Sequence, residues 1–159
     1  MMEQDGIRYI AADIGGIELI RPLWNQLNGH HHANARVFRD HYEQWTFDDR
    51  KEYFKKVAAE GLLRIDLAVD PVSDGNVGYC VSSISPDKAG EIESVFVEDA
   101  YRSLGIGTAL MERVLTWLDS NQPVRIRVSV ADGNEEAFPF YRKFGFFPRM
   151  TVLEQKRES

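Results

Sequence analysis

Cysteine is nearly missing from this chain: Cys80 is the only one in 159 residues, which rules out an internal disulfide framework. A reducing compartment suits such a sequence. Cys80 reads as a small apolar filler in a strand, since nothing near it in sequence would activate a thiol. Long apolar runs are absent too, so no helical membrane span is expected. Residues 1–6 carry neither the basic flank nor the apolar stretch of a secretory leader, and a cytoplasmic protein without a membrane partner is expected. Positive charge is also scarce. Lys plus Arg total 19 against 25 for Asp plus Glu, a formal charge of -6. That is too little cationic surface for a general nucleic-acid binder, which must displace counterions, but it suits a cationic small substrate. No repeat, low-complexity tract or linker divides the chain, so residues 1–159 are expected to form one domain with a single core.

What is present is an alternation of two periodicities. Residues 7–12 read as a first strand. Ile17, Ile20, Trp24 and Leu27 then recur at helical spacing, with Pro22 starting or kinking a segment. Thr46 looks like a helix N-cap with Asp49 three residues on, and Gly61 stands where that helix stops. Beyond it the period becomes two. Strands are expected over 65–69, 77–84 and 91–97, separated by the turn signals Asp70-Pro71, Asp74-Gly75-Asn76 and Pro86-Asp87. Ile106, Leu110, Val114 and Leu118 share one face of a helix that opens at Gly105. Strict alternation predicts a strand over 124–130. A short helix capped by Asn134 follows to about Phe144, and a last strand is expected over 146–155. The order is mixed α/β.

The most informative stretch joins the strand ending at Val97 to the helix after Gly105. The first amides of a helix have no internal partner, and the helix dipole puts partial positive charge there. Gly105 and Gly107 would let an anion come close to the backbone, and Arg102 adds a fixed charge, which together suit a pyrophosphate. A lone G-x-G would equally be an ordinary strand-to-helix turn. Two rival phosphate motifs fail on spacing: Gly107 is followed by Thr108-Ala109 rather than Lys-Ser/Thr, and Leu110 stands where the dinucleotide fingerprint needs its third glycine.

Glu91 and Glu93 lie two residues apart on a strand and are expected to face the same way as Val95 and Val97. They read either as a base or amine anchor, or as a solvated strand face or structural ion pair. His30, His31 and His32 invite a metal reading, but adjacent histidines do not easily all face one ion, and no metal is expected. A polar helix end, or contact with a substrate through His31, fits better.

Arg102-Ser103-Leu104-Gly105-Ile106-Gly107 at the end of an apolar strand resembles the pyrophosphate motif of the GNAT superfamily of acetyl-coenzyme A-dependent N-acetyltransferases. A second signature stands at Asn134, Ala137 and Tyr141-Arg142-Lys143-Phe144-Gly145-Phe146, and the likeness covers nearly the whole chain. The resemblance implies a single α/β (α+β) domain. Its sheet would be mixed but mostly antiparallel, with six to seven strands splayed between the fourth and fifth, and about four helices. It implies that the backbone of Val95, Phe96 and Val97 pairs with the pantetheine arm of acetyl-CoA. The amides of Ser103, Leu104, Gly105, Ile106, Gly107 and Thr108 would hold the pyrophosphate, and Asn134 would touch the arm. Tyr141 falls on the family's proton-donor position; Pro139 departs from the common pattern and leaves the reach of that helix open. Glu93 corresponds to a glutamate of spermidine/spermine acetyltransferases, and Glu91 to the base of histone acetyltransferases.

The activity so implied is transfer of acetyl from acetyl-CoA to a primary amine, a small aliphatic amine above all, by direct attack in a ternary complex. A protein lysine or N-terminal amine is an alternative acceptor, and a non-catalytic acetyl-CoA-binding module an alternative function. The acceptor wall would come from residues 14–61, with His31, Phe38 and Tyr42 as candidate contacts. The resemblance also allows a homodimer, for which no sequence feature marks an interface.

Overall fold

The computed structural model describes residues 6–158, so the reading of residues 1–6 falls almost wholly outside the described residues. One five-stranded sheet runs in the order β1-β2-β3-β4-β5. Its strands are β1 (Arg8–Ala12), β2 (Leu62–Val69), β3 (Asn76–Ile84), β4 (Ala89–Val97) and β5 (Arg125–Val128). The first four pair antiparallel, as short turns between sequential strands require, and β5 joins β4 parallel after a helical crossover.

The helices α1 (Arg21–Asn34), α2 (Arg39–Gln44) and α3 (Phe47–Glu60) lie between β1 and β2, and α4 (Ile106–Ser120) between β4 and β5. A single turn, α5 (Phe138–Arg142), follows β5. Each face of the sheet carries its own core. On one, Ile20 and Trp24 pack with Phe47 and Phe54 against Ile65, Tyr79, Val81 and Phe96. On the other, Ile106, Leu110, Val114 and Leu118 of α4 cover Cys80, Ile84 and Ile92, with Tyr141 in the same cluster. The i, i+4 stripe of α4 is therefore the face that binds it to the sheet. Asp66 of β2, fully buried, accepts from Arg64 at 2.9 Å and from Arg113 of α4 at 3.0 Å, tying that helix to the sheet through charge.

The ends of α3 behave as their sequence dictates. Thr46 and Asp49 form a reciprocal capping box, and Gly61 ends the helix. Gly61 is required by space: a Cβ there would sit 2.2 Å from the carbonyl oxygen of Ile84. Pro22 lies in the first turn of α1, where its missing N–H costs nothing.

Three expectations need correction. Residues 146–155 form no strand, so the sheet has five strands rather than six or seven. A strand needs a partner edge, and this segment instead crosses to α2, where Lys156 pairs with Asp40 and lies over the Phe38 ring. Strand β5 is shorter than its alternating pattern, stopping at Val128. The helix after Asn134 is a 3-10 turn (Glu135–Ala137) running into α5, and the Asn134 side chain makes no capping bond.

Gly61→Ala is expected to destabilise the fold by about 1–3 kcal/mol, because the added methyl meets fixed backbone rather than a yielding side chain. Thermal denaturation of the variant against the parent measures it.

Candidate active site

Strands β4 and β5 stay together only through Ala89–Arg125, Gly90–Ile126, Glu91–Arg127 and Ile92–Val128. Beyond Ile92, β4 keeps its partner β3 as far as Val97 but has none on the β5 side. The expected splay is this parting. It opens a cavity of about 360 Å³ between Ile92–Val95 on one side and Val128–Ala131 on the other.

A β-bulge sits at the point of parting. Val81 of β3 faces Ser94, but the next residue, Ser82, faces Ile92, so Glu93 is the extra residue. The bulge changes which way the acids point. Glu93 and Ser94 both turn toward the α1–α3 face, where Ser94 Oγ lies 2.7 Å from the Tyr79 hydroxyl. Val95 and Val97 pack on the opposite, α4 face. The expectation that Glu93 shares a face with Val95 and Val97 is thus overturned, because one inserted residue inverts the period-two alternation.

Glu93 is almost completely enclosed, with a side-chain exposure of 4%. It accepts from Ser83 Oγ at 2.7 Å and from the Tyr53 hydroxyl at 3.0 Å. Arg50 donates to the Glu93 main-chain carbonyl at 2.8 Å, and its guanidinium is 4.0 Å from the carboxylate. Burial first, and the nearby Glu91 carboxyl second, raise the Glu93 pKa to about 7, with Ser83 and Arg50 opposing the rise. A carboxyl poised there can take up or give up a proton near neutrality. Glu91, by contrast, is paired with Arg127 at 2.8 Å and lies outside this cavity.

Tyr141, from α5, and Asn134 line the same cavity as Glu93. Tyr141 is buried, its ring set edge-on to Phe140 and Phe146, and burial raises its phenol pKa, so it stays protonated. Pro139 falls in the first turn of α5, where it is tolerated without a kink.

At the other end of the gap, α4 begins with no side-chain cap. Gly105 at its start has φ +80 and Ser103 has φ +69, a left-handed pair that turns the chain into the helix. Arg102 donates to the Val97 carbonyl at 3.2 Å and pairs with Asp99, bracing the loop. Thr108 stands in the first turn of α4, and Leu104 packs at the edge of the α4 core. Gly107 is bare for a reason the sequence did not show: its missing Cβ leaves room for the Phe140 ring, which would lie 3.2 Å from it. A helix start opened by glycine, next to the strand edge that β5 has left, fits the phosphates and amide-bearing arm of a coenzyme A thioester.

The three histidines part company. His30 faces Glu136 and His32 pairs with Glu43, while His31 lines the cavity. Burial, then the neighbouring His30, lowers the His31 pKa to about 4, and its Nδ1 has no hydrogen-bond partner among the described residues. Tyr42 also lines the cavity, its ring tilted by 39° and centred 5.5 Å from that of His31. Phe38 does not; it is turned under Lys156. Sequence reasoning missed Arg50, Tyr53 and Ser83, the neighbours that define Glu93. Arg50 and Tyr53 lie one helical turn apart on α3, a weak signal that only the contact with β4 makes legible.

With this geometry in place, comparison with known proteins defines the class. The acetyltransferase (GNAT) family model matches residues 24–146, and the chain belongs to that family. Over 72 residues it is 30% identical to an uncharacterised N-acetyltransferase of Methanocaldococcus jannaschii, a match covering 45% of this chain and 32% of that protein. The chain thus spans about a third of the length of this curated relative. Its fold is similar to a putative acetyl transferase from Pyrococcus furiosus, with TM-score 0.71 and 21% identity, covering 94% of this chain and 100% of the other. It is likewise similar to an aminoglycoside N-acetyltransferase solved in complex with CoA, with TM-score 0.67 and 14% identity over 96% of this chain and 95% of that one. Among the described residues no helix is long and apolar enough to cross a membrane.

The raised pKa of Glu93 gives a stability signature. A carboxyl whose folded pKa lies above its unfolded value contributes stability that is full below the unfolded value and lost as pH rises through the folded one. Chemical denaturation between pH 4.5 and 8 is therefore expected to show Glu93→Gln gaining stability relative to the parent as pH rises through about 7. Parallel pH curves for the two proteins would contradict the assignment.

Proposed function

We propose that this protein is an N-acetyltransferase that moves acetyl from acetyl-CoA to the primary amine of a small molecule by direct attack in a ternary complex. The observation that carries the reading is the cavity at the β4–β5 parting, where Glu93 and Tyr141 line one space. Acetyl-CoA supplies the acetyl group as a thioester. The unpaired edge at Val95, Phe96 and Val97 would hold the amide-bearing arm, with Asn134 across the gap. Amides from Ser103 to Thr108 would hold the pyrophosphate, helped by the positive end of α4 and the charge of Arg102. Gly107 contributes its N–H there, although its lack of a side chain serves Phe140.

An alkyl ammonium has no free lone pair, and its ordinary pKa of about 10.4 keeps it protonated at neutral pH. Glu93, with its raised pKa, accepts the proton that the amine must lose, directly or through one water. The amine nitrogen then forms its bond to the carbonyl carbon as the carbon–sulfur bond breaks. Its second proton leaves as the amide forms, passing through water to restore the Tyr141 phenol after that phenol has protonated the thiolate. Tyr141, still protonated because it is buried, gives its proton to the departing thiolate. Glu91, held by Arg127, acts as a neighbour that tunes Glu93. The acceptor enters between α1 and α2, past His31 and Tyr42. The CoA-bound aminoglycoside enzyme, which shares the fold, lends support to a small-molecule acceptor.

Two measurements test this. Acetyl-CoA should raise the melting temperature, by an amount matching about 2.7 kcal/mol at a concentration of ~100 times its dissociation constant. Thiol release should then appear with some primary amine from a broad panel. Tyr141→Phe should keep the thermal shift and lower kcat by about 10²-fold or more. A thermal shift without turnover on any amine would instead identify a binding module, and full activity in Tyr141→Phe would remove the donor.

A further inference from the structure

The outer half of the cavity has a chemistry of its own. Trp24, Tyr42 and Trp45 give it ring-bearing walls, with Leu27 and the polar side chains of Asn28, His31 and His41 among them. Among the described lining residues Glu93 is the only carboxylate and Arg50 the only guanidinium or ammonium. Glu93 is already engaged by Ser83 and Tyr53 and is nearly closed off. His31, buried beside His30, is neutral and adds no negative charge. A polyamine entering here would bring two or more ammonium groups to a space with one occupied carboxylate and a fixed positive charge. Each surplus ammonium would be desolvated without a partner, which is costly. The polyamine-like acceptor that the residues around Glu93 suggest in sequence does not match these walls.

Arg50 points to what does. Its guanidinium lies over the rings of Tyr53 and Phe54, 4.8 and 4.6 Å from their centroids, so its plane is fixed. Its side chain is 22% exposed, and it lines the cavity. A guanidinium has five N–H donors in a rigid fork. Among the described residues the only hydrogen bond it makes is the one to the Glu93 carbonyl. The remaining donors suit a carboxylate, which a fork binds bidentately, and partial burial strengthens such a pair.

We propose that the acceptor is an aromatic amino acid, or a closely similar arylalkylamine bearing a carboxylate, with its ring among Trp24, Tyr42 and Trp45 and its carboxylate on Arg50. This inference rests on the acetyl-transfer reading above and names its substrate class. It makes Arg50 a specificity-determining residue: it selects by charge, and Glu93 handles the proton. It also accounts for the pairing of opposite charges in one small space, since the amine faces the carboxyl and the carboxylate faces the guanidinium.

The experiment compares thiol release from acetyl-CoA with tryptophan, tryptamine and spermidine, using the parent protein, Arg50→Gln and Arg50→Lys. For the parent, kcat/KM with tryptophan should exceed that with tryptamine by at least about ten-fold, the usual worth of a charge-assisted pair, and spermidine should be poorest. Arg50→Gln should lower kcat/KM for tryptophan at least about ten-fold more than for tryptamine, chiefly through KM, and Arg50→Lys should restore only part of it. Equal losses for the two acceptors would show that Arg50 only braces the bulge, and the inference falls. It falls too if tryptamine or spermidine is used as well as tryptophan, in which case acetyl transfer itself stands. No thiol release with any amine, whether or not acetyl-CoA shifts the melting temperature, sinks the acetyl-transfer reading first.

Discussion

The parting of β4 from β5 after Ile92 and Val128 is the constraint on which the other features depend. A parallel pair that stops midway leaves a row of main-chain donors and acceptors without ladder partners. Buried groups of that kind cost about 1–3 kcal/mol each unless something meets them. The fold is built to hold this opening. Gly90 brings β4 close against the Arg125 carbonyl and Leu118 where the strands still touch. On the far side β3 pairs with β4 through to Val97, so the open edge is still held by a ladder on its other side. The helices α1 and α2 wall the space beyond it.

The bulge at Glu93 coincides with the parting, and the coincidence gives the cavity its electrostatics. In an unbulged strand, alternation would put Glu93 on the same face as Val95, among apolar α4 contacts. With the bulge, the carboxyl enters a polar nest of Ser83, Tyr53 and Arg50 at the inner end of the opening. Enclosure and the Glu91 carboxyl push its pKa up, the Ser83 hydroxyl and the Arg50 guanidinium push it down, and it stands at about 7. Arg50 also bonds the bulge carbonyl, so one side chain stabilises the irregular backbone and sets the charge of the space beside it. The buried Asp66 with Arg64 and Arg113 does separate work on the other face, where it anchors α4.

Much of this architecture was legible in the residues because its causes are local. The stripe of Ile106, Leu110, Val114 and Leu118, the Thr46–Asp49 box and the stop at Gly61 all follow from helix geometry within a few positions. The glycine-bearing loop into α4 was readable too, and family motifs singled out Tyr141 and Glu93, which line one cavity. Failures came where the cause was distant. Residues 146–155 have a strand-like composition, yet they find no edge and run to Asp40 instead. Asn134 looks like a helix cap and spends its side chain on the cavity wall. Phe38 reads as a wall residue and is covered by Lys156.

Sequence by itself determined the periodicities, the helix ends, the glycine turn into α4 and the membership of a family, since these depend on residues within a few positions of one another. Only the tertiary structure decided which way Glu93 points, that Arg50, Tyr53 and Ser83 surround it, and where β5 lets go of β4. The reason is physical. A bulge is a mismatch between two strands, and a pKa is the sum of neighbours drawn from several elements, so neither belongs to any one segment of the chain.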